Sequence, residues 1–400
     1  MKKRLLFITS QLPYPPVKGG VIVSWNLLKQ LTRHFEVSLI NVLKGEDPKF
    51  EQEMLEKVEL AEYFSHELNV GRSPVNLLKS YAKGVPINFL RNYATELEDR
   101  IHGTINDFDY VIVDHYEMFQ YIPDSVKPKV ILHEHNAEFV MWQRYSEVSN
   151  NPAKKLVTGL ESIRIRNKER DFCRKADLVL AFPNDREILE GIAEQGRFEE
   201  VMPCGDDEML DLPDIVWDET EEAILYIGSL TWEANRDGLI WFIQEGWNSL
   251  KAKHPNLKFY IVGGNPDTTI QELAAQNRDI ILTGFVDDLE DYYTKCRVFV
   301  SPLRFGSGIK IKVINAMLRG MPTSTTPIGA EGMPVENGVQ LFSTQSMRQM
   351  VEDISLLLSD QDKWEAMKKE SRIFAAEQFS WAKQVEKIKD HILALDEVAV

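Results

Sequence analysis

Short, mostly apolar runs alternate with helical patterns along the whole chain. In the first half the apolar runs are residues 5–8, 37–42, 110–113, 130–132 and 178–181. Runs of this length without alternation are typical of parallel strands that are buried on both faces. Helices are predicted at about 21–32 and 152–174, and the charged region after residue 42 is predicted to be mostly helical. Strands that alternate with helices predict a doubly wound parallel sheet.

The same alternation repeats in the second half. Strands are predicted at 223–227, 258–262, 280–282, 298–300 and 323–325, and helices at 236–250, 269–276, 289–295 and 312–319. Between the halves, residues 206–222 are acidic, contain Pro213 and lack periodicity, which indicates an interdomain linker. We therefore predict two α/β domains, 1–205 and 206–380, that face each other across a cleft. A last helix at 381–396 either continues the second domain or packs back on the first.

Length, charge and cysteine content limit the classes of protein to which this chain can belong. The 400 residues are more than one core usually holds, and 44% apolar with 27% charged residues is ordinary for a globular protein. The net charge of −16 argues against nucleic-acid binding through bulk positive charge. The basic start is followed by an apolar stretch too short for a secretory signal, and no run reaches the length of a membrane span. Three widely spaced cysteines form no disulfide framework, so we expect a cytoplasmic protein.

Residues 301–312 are the most informative stretch of the chain. A predicted strand ends there, a turn of small residues follows, and a predicted helix begins. The turn and two cations beside it are Gly306, Ser307, Gly308, Ile309, Lys310 and Lys312. Free N–H groups at a helix start bind anions, and the lysines add positive charge to the same place. A glycine turn before a helix is also common as a plain connection, but the two lysines favour a diphosphate site.

A second candidate follows the predicted strand at 130–132, at the carboxyl edge of the sheet where ligands bind. His135 would contact the reacting group there, although a lone histidine is more often a structural hydrogen-bonding residue. His133 is an alternative, but alternation along an extended segment would point it to the opposite face. Gly19 and Gly20, after the first strand, permit a close backbone approach or form a flexible turn.

Taken in order, these segments resemble the family 4 (group 1) retaining glycosyltransferases of the GT-B type. The resemblance extends over nearly the full length and is carried by residues 19–20, 132–138, 226–235, 284–289, 302–312 and 326–332. It implies two Rossmann-like domains and a transferase of the hexosyl type, which moves a sugar from a nucleotide diphosphate to an acceptor hydroxyl. It also implies retained anomeric configuration, no metal and no cofactor besides the nucleotide sugar. The acceptor would be a sugar, lipid-linked or protein-linked molecule in the synthesis of bacterial surface polysaccharide, glycolipid or glycoprotein.

The resemblance also implies roles for individual residues. His135 and Lys310 would be catalytic, the first near the transferred sugar and the second at the leaving diphosphate. In much of the family an arginine and a lysine hold the phosphates, but here Ser229 and Ala234 occupy those positions, so Lys310 or Lys312 would replace them. The whole predicted donor-binding set is Gly19, Gly20, Gly228, Ser229, Asn235, Gly263, Val286, Gly306, Ser307, Gly308, Ile309, Lys310, Lys312, Asn315 and Glu331.

Asn315 departs from the family pattern. The family's two glutamates correspond to Ser307 and Asn315, and the second glutamate normally binds both ribose hydroxyls. A neutral amide makes weaker hydrogen bonds than a carboxylate, at a cost of about 1–2 kcal/mol, unless Glu331 compensates. A catalytically inactive nucleotide-binding or scaffold protein is therefore an alternative, and an isomerase or a phosphorylase of the same fold is another.

Residues 154–175 are rich in lysine and arginine within an otherwise acidic chain. Leu156, Leu160 and Ile163 share one face of this predicted helix. One interpretation is a helix whose apolar face packs on the core and whose basic side is solvated. The other is docking on an anionic membrane, at its inner face, where a lipid-linked acceptor would be found.

Overall fold

A computed structural model describes residues 2–16, 19–71, 73–148, 151–286, 288–306 and 309–397. The chain divides into two compact units. Unit 1 comprises Met1–Met202 with Gln384–Val400, and unit 2 comprises Pro203–Lys383. Each unit has its own parallel sheet and its own buried apolar core. The predicted site residues Ser307 and Gly308 lie outside the described residues.

The described part of unit 1 contains a seven-stranded sheet in which all neighbouring strands are parallel. Its strands are β1 (Arg4–Thr9), β2 (Glu36–Leu43), β3 (Tyr63–Glu67), β4 (Tyr110–Asp114), β5 (Lys129–Glu134), β6 (Leu178–Ala181) and β7 (Phe198–Glu200). Their order is β3-β2-β1-β4-β5-β6-β7, so the direction of winding reverses between β1 and β4. In such sheets ligands bind outside the carboxyl ends of the two strands at the reversal.

Helices connect these strands in unit 1. They are α1 (Gly19–His34), α2 (Pro48–Lys57), α3 (Pro74–Ala82), α4 (Ile87–Arg91), α5 (Thr95–Thr104), α6 (Glu138–Val148), α7 (Pro152–Lys175) and α8 (Pro183–Ala193), with 3-10 turns at Ile105–Asp107 and Tyr116–Tyr121. Several begin with a side chain that caps the free N–H groups of the first turn: Asp47 before α2, Ser73 before α3 and Asn151 before α7.

Unit 2 repeats the arrangement with a six-stranded parallel sheet in its described residues. Its strands are β8 (Glu221–Ile227), β9 (Lys258–Val262), β10 (Ile280–Gly284), β11 (Cys296–Ser301), β12 (Thr323–Thr325) and β13 (Phe342–Ser343), in the order β10-β9-β8-β11-β12-β13. The reversal here falls between β8 and β11. The loops that follow these two strands are therefore where a ligand of unit 2 is expected.

The helices of this unit begin before its first strand. They are α9 (Glu208–Asp211), α10 (Glu233–Phe242), α11 (Asn248–Lys253), α12 (Thr268–Ala275), α13 (Glu290–Lys295), α14 (Ile311–Arg319), α15 (Met347–Ser359) and α16 (Gln361–Phe379), with a 3-10 turn at Trp217–Glu219 and a π-helical stretch at Ile243–Trp247 between α10 and α11. The final helix, α17 (Trp381–Leu393), starts in unit 2, and its residues from Gln384 onward belong to unit 1. Among the described residues, no helix combines the length and the hydropathy needed to cross a bilayer.

The predicted alternation of strands and helices is confirmed, with boundaries shifted by a few residues. Strands β3, β7 and β13 were not predicted. All three lie at an edge of their sheet, where one side has no neighbouring strand, and all are only partly buried. The sequences of β3 and β7 are polar for that reason, and all three strands lack the apolar run by which the inner strands are recognised. The acidic segment predicted as a linker contains α9 and the 3-10 turn before β8.

The three apolar residues that the sequence pattern placed on one face of α7 do not pack on the core. Leu156, Leu160 and Ile163 are 65%, 42% and 60% exposed. The helix does pack on the core, but through other buried side chains, those of Ile165, Phe172 and Cys173. The interpretation of α7 as a core-packed helix therefore holds for the helix, but not for the residues that were named.

The buried side of α7 also carries two glutamates. The carboxyl groups of Glu161 and Glu169 accept hydrogen bonds from the backbone N–H groups of Ile87, Glu138 and Phe139. These buried polar residues satisfy free N–H groups at the starts of α4 and α6.

A buried ion pair joins α13 to α14 in unit 2. Arg319 is 1% exposed, and its guanidinium donates to both carboxylate oxygens of Glu290 at 2.8 and 2.6 Å. Removing one partner of such a pair leaves an uncompensated charge in the protein interior. The pair therefore holds the helix that carries Lys312 against the neighbouring helix.

Glu290→Gln is expected to lower the free energy of unfolding of unit 2 by about 3 kcal/mol, because Arg319 loses its charged partner. Urea unfolding followed by circular dichroism measures this change. Glu221→Gln is the control, since it breaks the exposed pair with Lys258 and should cost less than about 1 kcal/mol. Equal, small losses in the two variants would contradict the expectation.

Candidate active site

The carboxylate of Asp114 organises the reversal point of unit 1. Asp114 is the last residue of β4, is fully buried, and lies opposite Thr9 at the end of β1. Thr9 and Ser24 of α1 donate to its Oδ2 at 2.9 and 2.6 Å. His133 Nδ1 and His135 Nε2 both lie 2.7 Å from its Oδ1. Each carboxylate oxygen therefore accepts two hydrogen bonds.

These donors keep Asp114 charged. Burial alone would raise the pKa of its carboxyl group, but the charge of His135 and the hydrogen bonds from His133 and His135 outweigh burial and hold the pKa well below its usual value. Because a carboxylate only accepts hydrogen bonds, each of the two histidines presents an N–H to it. The carboxylate thus sets the orientation of both rings and determines which nitrogen of each ring donates to it.

His135 consequently has its other ring nitrogen free to meet a ligand. The Nδ1 atom lies near the start of α1, where a Cβ on Gly20 would be 3.7 Å away. The structure shows no hydrogen bond to Nδ1 from any described residue. With Nε2–H bonded to Asp114, a neutral ring carries its lone pair on Nδ1. Because Gly20 has no side chain, the space in front of this atom is open.

His115 packs on the other side of this ring. The rings of His115 and His135 are stacked with centroids 3.9 Å apart, and the backbone of His115 has φ = 80°. A positive φ is unfavourable for a residue with a Cβ, so the surrounding contacts maintain a strained position. Burial, reinforced by the charge of His135, lowers the pKa of His115 to about 3, and the ring is neutral at pH 7.

His133 does not point away from His135, contrary to the prediction. His133 is fully buried in β5, and its ring reaches Asp114 as the ring of His135 does, with centroids 4.7 Å apart. Strict alternation ends with the strand at Glu134, so His135 is free to turn back toward the same carboxylate. Asp114 and His115 were not predicted at all. A polar residue at the end of an apolar strand run was the signal for Asp114.

Asp114, His115 and His135 are also the described residues that could hold a metal ion, with ligand atoms within 4.8 Å of one another. Hydrogen bonds account for their arrangement without an ion, since His135 donates to Oδ1 while Thr9 and Ser24 donate to Oδ2. The independence from metals that the family resemblance implies stays a prediction.

A polar cavity of about 250 Å³ opens beside His115 and His135. Its wall includes Lys44 and Arg91 as well as the carboxyl groups of Glu117 and Glu134. Burial raises the pKa of Glu117, and burial with the nearby charge of Glu169 raises that of Glu134 well above its usual value. Hydroxyl, amide and carboxyl groups of this kind hydrogen-bond polar ligands, so the cavity suits a molecule rich in hydroxyls.

In unit 2 the reversal point holds a half-buried cation. Lys312, in the first turn of α14, donates to Tyr226 Oη at 3.0 Å and to Asn235 Oδ1 at 2.7 Å. No carboxylate among the described residues pairs with it. Burial, with a smaller effect of the charge on Lys310, lowers the pKa of Lys312 to about 7. The site therefore favours an anion beside this ammonium group.

The neighbouring Lys310 is placed differently. It is the residue before α14 and is 6% exposed, and its Nζ lies 3.5 Å from Glu331 Oε2. Burial lowers the pKa of Lys310, while Glu331 opposes this. The side chain of Ile309 lies against Gly332 in the loop that carries Glu331, because a Cβ on Gly332 would be 2.9 Å from Ile309 Cγ1. Glu331 thus contacts Lys310, and its role at a ribose stays a prediction.

Glycines bring the loops of this site close together. A Cβ on Gly263 would overlap the carbonyl oxygen of Gly228, and one on Gly228 would lie 3.3 Å from Lys312 Nζ. Gly306 has φ = 128°, a conformation that other residues rarely adopt, and Trp232 lies beside it. Asn235 supports the loop after β8 by donating to the carbonyl of Ser229 at 2.8 Å.

Other predicted donor residues lie on the surrounding loops. Ser229 is exposed and shares a hydrogen bond with Thr231, and Val286 follows β10 next to Phe285, which is 79% exposed. Asn315 is half-buried, and its Oδ1 accepts a hydrogen bond from the backbone of Asp206 at 2.9 Å. The amide oxygen expected at a ribose is therefore bonded to the chain itself. Helix α1 begins at Gly19 in unit 1, with Gly20 beside it.

Comparison with known proteins agrees with this architecture. A family model described as Glycosyl transferases group 1 matches residues 221–360, from β8 to the start of α16 in unit 2. A protein of Klebsiella pneumoniae, described as an uncharacterized 44.6 kDa protein in the cps region, is 23% identical over 352 residues, which are 84% of this chain and 86% of that protein.

Solved structures match over the whole length. A glycosyltransferase from Rickettsia africae has a TM-score of 0.65 at 14% identity and covers 99% of both chains. HepE of Anabaena, solved in complex with UDP, has a TM-score of 0.61 at 15% identity and covers 98% of this chain and 100% of its own. Both units are thus the Rossmann-like domains of the GT-B fold, and the fold prediction is confirmed. The family match covers part of unit 2, and the solved structures show the fold of the whole chain.

Lys312→Met is expected to remove a pH dependence of stability. In the folded protein the pKa of Lys312 is about 7, against 10.5 ordinarily, so the unfolded chain binds one more proton between these values. Stability therefore rises with pH across that window, by up to about 1.4 kcal/mol per pH unit. Urea unfolding at several pH values measures the slope, with Lys369→Met as an exposed control. Parallel curves for the wild type and Lys312→Met would contradict the assignment.

Proposed function

We propose that this protein is a retaining glycosyltransferase, in which unit 2 binds the nucleotide diphosphate of the sugar donor and unit 1 binds the acceptor. The observation that carries the proposal is the half-buried Lys312, which has no carboxylate partner among the described residues and lies in the first turn of α14. A lysine that is partly withdrawn from water without a counter-ion is suited to an anionic ligand. Lys310 adds a second cation.

In this mechanism the chemistry in unit 2 is electrostatic. Cleavage of the bond between the sugar and the diphosphate leaves negative charge on the phosphate, which Lys310 and Lys312 stabilise together with the free N–H groups of α14. An anion beside Lys312 favours the charged lysine, so binding of the donor takes up a proton. Retention follows if the leaving phosphate itself accepts the proton of the acceptor hydroxyl. Proton NMR of the first product reports its anomeric configuration, and inversion would exclude this mechanism.

His135 is the proposed catalytic residue of unit 1. Asp114 holds the ring by Nε2, and the open Nδ1 beside Gly20 is available to a hydroxyl of the transferred sugar. Asp114 acts as a positioning residue, since both of its oxygens are already bonded within the unit. The polar cavity next to these histidines is proposed to take the sugar part of the acceptor.

We propose that this transferase acts in the synthesis of surface polysaccharide. Support comes from the Klebsiella relative, which is described as a protein of the cps region. UDP is the first nucleotide to test because HepE was solved with it. Screening with a panel of nucleotide sugars identifies the sugar and the base, because the loops around Lys312 carry glycines such as Gly228 and Gly263, which have no side chain to select a base.

One nucleoside diphosphate among UDP, GDP and ADP is expected to raise the melting temperature of the protein, because a ligand that binds the folded state stabilises it. The double variant Lys310→Ala, Lys312→Ala should lose this shift and most transfer activity. His135→Ala should lose most transfer activity but keep the shift, since the two sites lie on different units. Lys369→Ala is the exposed control for charge. Wild-type turnover in both site variants would refute the assignment.

An inactive nucleotide-binding or scaffold protein is the second candidate, because the amide of Asn315 bonds to Asp206 within unit 2. Calorimetry with the same nucleotides, combined with the transfer assay, distinguishes these inactive proteins from an active transferase and from each other. Binding without transfer of any sugar favours an inactive nucleotide-binding protein, and no binding by a folded sample favours a scaffold.

We also propose that unit 1 contacts an anionic membrane, where a lipid-linked acceptor would be held. Three helices of the unit expose large apolar side chains: Val75, Leu78 and Tyr81 on α3, Met141 and Tyr145 on α6, and Leu156, Leu160 and Ile163 on α7. Arg164 joins α3 to α7 by stacking on Tyr81 at 4.1 Å and donating to the carbonyl of Ser80. Exposed lysines at the start of α7 would attract anionic lipid.

Replacement of Leu156, Leu160 and Ile163 by glutamine is expected to abolish sedimentation with vesicles of anionic lipid, because it removes the apolar contact. The side chains are exposed, so the fold should persist, and circular dichroism checks this. Gln substitution at exposed Leu393 and Leu55 is the control. Arg164 is unsuitable for such a test, since it bonds to Glu161 and to the carbonyls of Ser80 and Val85. Unchanged sedimentation of the triple variant would disprove the membrane contact.

A further inference from the structure

Unit 1 contains a second, larger cavity that the proposed transfer reaction does not use. It is a groove of about 840 Å³, and aromatic and aliphatic side chains form much of its wall. Phe89, Phe119 and Phe172 stack on one another along it, with centroids 5.6 and 4.7 Å apart. Pro128 and Asp177, which precede β5 and β6, place the groove at the amino edge of the sheet.

The groove is separate from the candidate active site. Asp114 and His135 lie at the carboxyl ends of β4 and β5, which is the opposite edge. The short helix α4 and the residues after it divide the two cavities. Asn88 and Arg91 line the polar cavity, whereas Phe89 and Leu90 line the groove. An apolar ligand would therefore occupy a place of its own.

Two lysines at the rim of the groove favour a negatively charged ligand. Lys83 Nζ lies 5.7 Å from the ring centre of Tyr93, and Lys168 Nζ lies 5.9 Å from that of Phe172. Neither lysine pairs with a carboxylate among the described residues, whereas the third lysine of the rim, Lys175, is bonded to Asp124 at 2.6 Å. In a chain of net charge −16, two such ammonium groups above an apolar wall are unusual.

We propose that the groove binds an anionic amphiphile, with its alkyl or prenyl chain against the phenylalanines and its phosphate between Lys83 and Lys168. The alkyl or prenyl chain of the ligand gains an apolar contact that water cannot supply, and its phosphate gains two charge-assisted hydrogen bonds. Neither the apolar wall nor the pair of lysines suffices alone. The wall does not select for charge, and the lysines are half-buried or exposed. Binding does not depend on the transferase activity.

Dodecyl phosphate below its micelle concentration is the probe, and titration calorimetry with the full chain is the measurement. The wild type should bind one molecule, while inorganic phosphate should show no binding and dodecyl maltoside should bind at least about tenfold more weakly. The double variant Lys83→Glu, Lys168→Glu should bind dodecyl phosphate at least about tenfold more weakly than the wild type does. Lys57→Glu with Lys387→Glu, which reverses two exposed charges of the same unit, should bind as the wild type does.

Val126→Trp tests the apolar half, because the larger side chain would fill part of the groove that Val126 lines. It should abolish binding of dodecyl phosphate while thermal unfolding shows a folded protein. The proposal is overturned if the wild type does not bind, if the Lys83 and Lys168 variant binds as well as the control, or if dodecyl maltoside binds equally. Should Val126→Trp fail to fold, the charge variants alone decide. Nucleotide binding, which occurs in unit 2, is measured separately and distinguishes failure here from failure of the proposed function.

Discussion

The reversal of strand order in each parallel sheet is the constraint on which both sites depend. Parallel strands must be joined by crossover helices, and at β1 with β4 and at β8 with β11 these helices pass to opposite faces. The carboxyl ends of these strands therefore stay uncovered, and the loops that follow them meet. Asp114 lies at one reversal and Lys312 at the start of the helix that follows the other.

The two units use opposite electrostatic solutions at these points. In unit 1 a buried anion, Asp114, is satisfied by four donors from three segments and serves to orient histidines. In unit 2 a half-buried cation, Lys312, has only neutral partners among the described residues, and its pKa is lowered. A satisfied charge gives rigidity, whereas a charge without a counter-ion creates affinity for one. This difference suits a division between positioning in unit 1 and anion binding in unit 2.

Helix α7 shows how tertiary context decides which residues of a helix are buried. Its exposed leucines and isoleucine would be expected in the core, yet the buried side combines Ile165, Phe172 and Cys173 with Glu161 and Glu169. These carboxylates meet N–H groups at the starts of α4 and α6, which no helix can satisfy internally. The same helix contributes Lys168 and Phe172 to the groove, so it borders the surface and the cavity at once.

The sequence alone determined the inner strands, the two-domain α/β plan and the position of Lys310 and Lys312 at a helix start, because apolar runs and glycine turns are local signals. It could not determine the partners of those residues. Asp114 became the centre of unit 1 only when β1, β4, β5 and α1 brought Thr9, Ser24 and two histidines to one carboxylate from distant parts of the chain. In the same way, the bond between Asn315 and Asp206 and the exposure of the apolar side of α7 depend on packing across long sequence separations. No pattern within a single segment records such contacts.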